Sequence, residues 1–191
     1  QQWMKASQPT YVVEAAKKLG LRGVTRPDWE ASGDYGYQWG SAMHDLLELA
    51  IRSPETELEA SALVLANEHG LGAGRVDELL ATVESVRASE MWKRAQSSKR
   101  CLVEVPIDVR EKGTEVPTFV RGVIDLVFQE EQGWVLVDYK TDDIRVSQVL
   151  AAREYYRGQL DAYAKYWEQV TGEKIAEKGL YFTRIQNYQV L

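Results

Sequence analysis

The chain has 191 residues, 45% of them hydrophobic and 10% aromatic, and carries a net charge of −6. That composition suits one domain with a buried core and excludes a disordered chain. The acidic balance excludes a positively coated protein that binds nucleic acid nonspecifically, so any polyanion would have to be met by a local basic patch or by metal ions. The single cysteine, Cys101, rules out an internal disulfide, a cysteine-rich zinc site and an iron–sulfur cluster held by four cysteines of this chain. No apolar run approaches the roughly 18 residues of a membrane helix and no signal-peptide pattern occurs, so a reduced, cytoplasmic setting is expected. The chain opens "QQWMKAS" and reads as a fragment of a longer polypeptide, although a processed tag would give the same start.

The first half, 1–99, reads as helical. "TYVVEAAKKLG" (10–20) has a Thr N-cap and a terminal Gly. Residues 22–39 are rich in turn formers and aromatics and read as a loop. Helical spacing returns in "GSAMHDLLELAI" (40–51). "SPETELEASALVLANEHG" (53–70) has Ser at the cap, Pro at the first helical position and a closing Gly. "GRVDELLATVESVRASEMWKRAQ" (74–96) reads as one longer amphipathic helix.

From residue 100 the period changes. "RCLVEVPIDVR" (100–110), "TFVRGVIDLVFQ" (118–129) and "WVLVDYK" (134–140) alternate as strands do. A helix is expected around "YYRGQLDAYAKYWEQV", with Gly158 as a weak point. "KGLYFTRI" (178–185) reads as a late strand, with "YQVL" as a partner. Helices, a meander, a crossover helix and a further strand predict a mixed α/β domain around one sheet.

The hairpin at 121–142 holds the question of function. With "EEQG" as the turn, Gln129 pairs with Trp134, and the same register sets Asp125 opposite Asp138, with Cβ atoms roughly 4.5–5.5 Å apart. Lys140 leaves from the face of Asp138, about 6.6 Å along. Facing carboxylates in an apolar setting share a proton or hold a cation, and their oxygens suit Mg²⁺ or Mn²⁺. The alternative is a solvated sheet face on which Lys140 simply pairs with Asp138. His44 shares a helix face with Leu47 and Ile51 and is either a core histidine or a metal ligand, with Glu48 one turn on to orient it. His69, beside Gly70, reads as a surface residue. Glu104 alternates with valines, as a solvated residue or as a further acid. Gln159 and Tyr163, four apart with Tyr156 one turn before, share a helix face that is core or site.

"GVID…LVDYKTD" resembles the catalytic hairpin of the PD-(D/E)xK nucleases, in particular the RecB/AddA-type nuclease domain at the C-terminus of helicase–nucleases. "GSAMHDLLE" is similar to that family's G-x-x-x-H helix, "VEVPI" to its Glu-bearing strand and "YYRGQLDAY" to its Q-x-x-x-Y helix. The resemblance implies a restriction-endonuclease-like core, a mixed central sheet flanked by helices, within a single domain spanning 1–191 whose catalytic sheet and crossover helix lie in 100–191. It implies metal-dependent hydrolysis of DNA to 5′-phosphate and 3′-hydroxyl ends, and the missing cysteines set the chain apart from the family's iron–sulfur members. His44, Asp125, Asp138 and the main-chain carbonyl of Tyr139 would ligate Mg²⁺ or Mn²⁺. Lys140 would position or help deprotonate the attacking water, Glu104 would support the site, Gln159 would partner Lys140 or phosphate, and Tyr163 would approach the substrate strand.

The implied setting is exonuclease action on single-stranded ends during double-strand-break repair and recombination. No G-x-x-x-x-G-K-[ST] loop occurs, so an upstream helicase domain or a separate helicase chain would supply the motor. Tyr35, Tyr37 and Trp39 would stack on unpaired bases or pack their loop onto the domain. "WKRAQSSKR" (92–100) is the best basic stretch. The competing readings are a catalytically silent DNA- or protein-binding module with the nuclease fold, and a structural metal-binding domain without nucleic acid.

Overall fold

The computed structural model describes residues 10–25, 27 and 36–191. Among these, six strands form one mixed sheet: β1 (Val12–Ala15), β2 (Cys101–Arg110), β3 (Thr118–Glu130), β4 (Gly133–Lys140), β5 (Ile175–Phe182) and β6 (Asn187–Val190). One face is covered by α2 (Tyr37–Arg52), α3 (Leu58–Glu68), α4 (Val76–Arg87) and α5 (Glu90–Ser97). The other carries α1 (Ala16–Gly20) and α6 (Val149–Thr171). This is the expected restriction-endonuclease-like arrangement. The parallel β4–β5 pair is joined through α6, because parallel neighbours need a crossover. No described helix is long and apolar enough to cross a membrane.

Two cores result, one on each side of the sheet. Along β4, Trp134 and Leu136 face α6, while Val135, Val137 and Tyr139 face the helical layer. The period of two therefore carries Asp138 and Lys140 onto the α6 side. The expected hairpin register is present from Glu130↔Gly133 and Gln129↔Trp134 to Leu126↔Val137, but the ladder ends there and the expected Asp125–Asp138 pair is not one of its pairs, because β3 changes face at Asp125.

A strand has two edges, yet β3 has three neighbours. β2 occupies one edge from Phe119 to Phe128. β1 pairs in parallel with Thr118–Arg121, and β4 pairs with the opposite end from Leu126 onward, so these two share the other edge. Between them Gly122–Asp125 have no strand on that edge. The gap is where the candidate site residues gather.

Four local expectations are corrected. Residues 10–20 are not one helix. Val12 and Val13 are β-branched and find an open edge on β3, so the segment begins as a strand and only its last five residues coil. α3 begins at Leu58 rather than 53, because Ser53–Thr56 closes a turn of its own. The 74–96 helix is broken at Ser89, whose Oγ accepts the Trp92 amide at 3.2 Å and caps a new helix. The loop ends earlier than expected, with Tyr37, Gln38 and Trp39 inside α2.

Gly158 does not break α6, which runs unbroken through 23 residues. It lies against Gly20 of α1, and a Cβ on either glycine would run into the carbonyl oxygen of the other. This contact seats α1 on α6. Gly158→Ala is therefore expected to lower stability by about 1–3 kcal/mol through overpacking, read as a lower urea midpoint with an unchanged m-value.

Candidate active site

The cleft beside the β3 gap has a volume of about 540 Å³ and is lined by residues from α1, α2, β3, β4 and α6, among them His44, Asp125, Asp138, Lys140, Gln159 and Tyr163. Each arrives for a local reason. Gly40 lies one turn before His44, and a Cβ there would meet Thr141 Oγ1 at 3.0 Å. The glycine lets α2 approach the end of β4 closely enough for His44 to reach β3. His44 Nδ1 is 3.6 Å from Asp125 Oδ1 and 3.9 Å from Glu104 Oε1.

Glu104 and Asp125 are brought together by a change of face in two strands at once. Val103 and Leu126 pack into the helical layer, whereas Val105 and Ile124 pack towards α6. The pairs Val103↔Leu126 and Val105↔Ile124 leave Glu104 opposite Asp125. At the switch Glu104 has φ 48°, a left-handed conformation that costs a non-glycine residue about 1–3 kcal/mol. His44, Glu104 and Asp125 each offer a ligand atom, all within 4.8 Å of one another. Nitrogen and carboxylate oxygens in that number suit a hard divalent cation.

Asp138 serves a second cluster. Its Oδ1 accepts Gln159 Nε2 at 2.8 Å, and its Oδ2 lies 2.5 Å from Lys140 Nζ. Lys140 Nζ also donates to Gln159 Oε1 at 3.0 Å and sits 4.0 Å above the Tyr156 ring. Gln159 is thus fixed in orientation, with its oxygen on the ammonium and its amide nitrogen on Asp138 and on Tyr163 OH at 3.3 Å. Asp138 and Lys140 are 2% and 5% exposed, so the charges compensate each other where water cannot. Asp138 Oδ2 nevertheless has no hydrogen-bond partner among the described residues, its Lys140 contact being an ion pair without hydrogen-bond geometry.

The protonation equilibria record the crowding. Burial drives Asp125 well above the usual carboxylate range, against the nearby His44. Burial alone would lower His44, but the carboxylates of Asp125, Glu104 and Asp138 outweigh it and raise the imidazole to about 9. Burial and the charges of Asp138 and Asp125 raise the Tyr163 phenol, which stays protonated.

Other candidates fall elsewhere. Glu48 pairs with Arg52 at 2.8 Å rather than orienting His44. His69 contacts Asp45 at 2.7 Å, so it is a paired residue and not a bare surface one. Trp39 is 1% exposed beneath Arg75 and packs the helical layer, so it offers no stacking surface. Tyr37 is 87% exposed at the cleft, and Tyr35 lies outside the described residues. In the basic stretch, Arg94 is bound by Glu130 and Glu177, which leaves it no free charge for a polyanion. Asp142 accepts Tyr156 OH at 2.8 Å, which ties the end of "KTD" to α6.

The model of the PD-(D/E)XK nuclease superfamily matches residues 15–190, nearly the whole described chain. The chain belongs to the PD-(D/E)XK nuclease superfamily. It is also similar to the A subunits of several bacterial ATP-dependent helicase/nucleases. That of Thermoanaerobacter sp. (strain X514) is 34% identical over 110 residues that cover 52% of this chain and 9% of the relative. That of Clostridium novyi (strain NT) is 28% identical over 162 residues, covering 76% of this chain and 13% of the relative. That of Desulforudis audaxviator (strain MP104C) is 33% identical over 139 residues, covering 71% and 11%. The chain thus spans about a tenth of the length of these relatives.

Within the superfamily's core, Gln159 holds the Asp138–Lys140 pair in place. Gln159→Leu removes both of its hydrogen bonds to that pair and is expected to cost about 1–3 kcal/mol. Urea unfolding of the two proteins side by side measures it, and an unchanged midpoint would show the amide to be dispensable.

Proposed function

We propose that this chain is a divalent-metal-dependent DNA nuclease, an exonuclease acting on single-stranded ends, and that it serves as the nuclease part of a helicase–nuclease that processes double-strand breaks for recombination. The observation that carries this reading is that one cleft is lined both by His44 and Asp125, which form a donor cluster with Glu104, and by a lysine held rigid by Asp138 and Gln159. A solvated sheet face would not bury Asp138 and Lys140. A silent module would have no chemical need for the strained Glu104 beside two further donors.

His44, Asp125 and Glu104 would hold the cation, with Asp138, whose Oδ2 has no hydrogen-bond partner among the described residues, and the Tyr139 carbonyl completing the set. Bound Mg²⁺ or Mn²⁺ would supply Lewis-acid polarisation of the phosphate and offset charge in the transition state. The protein's own contribution is position. Lys140 Nζ, anchored between Asp138 Oδ2 and Gln159 Oε1, orients the attacking water and balances the phosphate charge. Tyr163, hydrogen-bonded through its hydroxyl to Gln159, keeps that amide from turning. Tyr37 presents an exposed ring on which an unpaired base can stack, which favours single strands over a duplex. The relatives' description as helicase/nuclease subunits supports a motor elsewhere in the parent chain or in a partner protein.

Cleavage of end-labelled single- and double-stranded DNA with Mg²⁺, Mn²⁺ or EDTA tests the reading. Wild type should cut single strands only with metal and leave 5′-phosphate ends, and Lys140→Ala should slow cutting by about 10²-fold or more. Asp125→Ala should weaken Mn²⁺ binding in calorimetry. A folded wild type that neither binds Mn²⁺ nor cuts any strand would sink it, as would cutting that persists in EDTA.

A further inference from the structure

A second lysine lines the cleft, and neither the hairpin motif nor the helix motifs point to it. Lys17 belongs to α1, where "EAAKKLG" reads as an ordinary helix end. Its placement is set by packing. Ala16 is fully buried, with its Cβ at the point where a Cβ on Gly122 would come within 3.0 Å, and the Tyr163 ring meets the same point at 3.1 Å. Gly20 abuts Gly158. Lys17 lies three residues before Gly20, on the helix side that faces α6, and so extends over the cleft rather than away from it. Among the described residues Lys17 forms no ion pair or side-chain hydrogen bond, whereas Lys140 is fully engaged by Asp138 and Gln159. The two ammonium groups are close enough that Lys140, together with burial, lowers the Lys17 pKa, while Asp138, Asp142 and Asp125 act to raise it.

The cleft has a difficulty that such a residue answers. It presents the carboxylates of Asp45, Asp125, Asp138 and Asp142 to a polyanion, and the protein as a whole carries −6. A cation at the donor cluster would offset some of that repulsion, but only at the reacting phosphate. We propose that Lys17 is a substrate-binding residue, its ammonium gripping a backbone phosphate of a single nucleic-acid strand that lies across the cleft between α1 and the end of β4. The strand as substrate rests on the nuclease reading; the phosphate contact is measured separately from cutting. Lys17 then divides labour with Lys140. One lysine is pinned in the protein for the chemistry, and the other is left available to the strand.

The test uses a fluorescent single-stranded oligonucleotide and anisotropy in Mg²⁺, in a Lys140→Ala background whose slowed cutting lets binding be read before the strand is degraded. Lys17→Ala should weaken binding about tenfold at low salt and lower the slope of log affinity against log salt by about 0.7, the loss of one phosphate contact on a single strand. Lys17→Arg should restore both. Lys18→Ala should change neither, since Lys18 is exposed like Lys17 but is not among the cleft residues. A single neutral methylphosphonate, moved along the strand, should weaken the parent at one position and leave Lys17→Ala indifferent to it. The proposal is overturned by a parent that binds no strand, by a salt slope unmoved in Lys17→Ala, or by a deficit in that variant that no neutral linkage removes. Strand binding that depends on Lys17 in a wild type that cuts nothing would sink the nuclease reading and leave the phosphate contact standing.

Discussion

Where β4 stops pairing with β3, the amide of Tyr139 is buried and needs an acceptor, and it finds Asp125 Oδ2 at 2.7 Å. A buried backbone N–H left without a partner is costly, so this bond does for the end of the hairpin what a further ladder pair would otherwise do. It also commits one oxygen of Asp125 to the fold and leaves Oδ1 to face His44. The strands separate at this point because β3 has passed from β1 to β4 along a single edge. Gly122, in the resulting gap, gives room to Ala16 and Tyr163. The site lies where the sheet has a seam.

That seam accounts for the sorting of charges. Asp125 and Asp138 follow the last pair of the hairpin ladder, yet among the described residues they share no hydrogen-bond or ion-pair partner. Asp125 turns to His44 and Glu104, and Asp138 to Lys140 and Gln159. Two carboxylates left facing each other at low dielectric would repel strongly. Giving each its own basic neighbour removes most of that penalty and keeps both acids beside the cleft. The left-handed backbone of Glu104 is part of the same arrangement, since it occurs where β2 and β3 exchange faces.

Much of this is legible in the sequence where periodicity is long. The strands at 100–110, 118–129 and 134–140, the turn at "EEQG", and the shared face of Asp138 and Lys140 follow from alternation. The face shared by Gln159 and Tyr163 follows from a spacing of four. What escapes depends on contacts far apart in the chain. Val12–Ala15 form a strand because an edge of β3 is vacant, and nothing local to "YVVEA" reveals that edge. Ser89 does give a local signal, a cap within an apolar-periodic run, but the period on either side conceals it. Glu104 alternates like any strand acid, and its place opposite Asp125 follows only from the β2–β3 register. Lys17 is hidden behind the helical reading of its own segment. Gly158 reads as a weakness until Gly20 is seen beside it.

The sheet also acts as a partition with one half of the site hung from each side. His44 comes from the layer containing α2, whereas Gln159, Tyr163 and Lys17 come from α6 and α1 on the opposite side. A small rigid displacement of either layer against the strands would detune its own half and leave the other aligned. Donor geometry and the proposed strand grip are therefore separately adjustable, like two jaws closing on a common anvil. Sequence change in one layer can retune one of them without disturbing the other, provided the hairpin between them keeps its register.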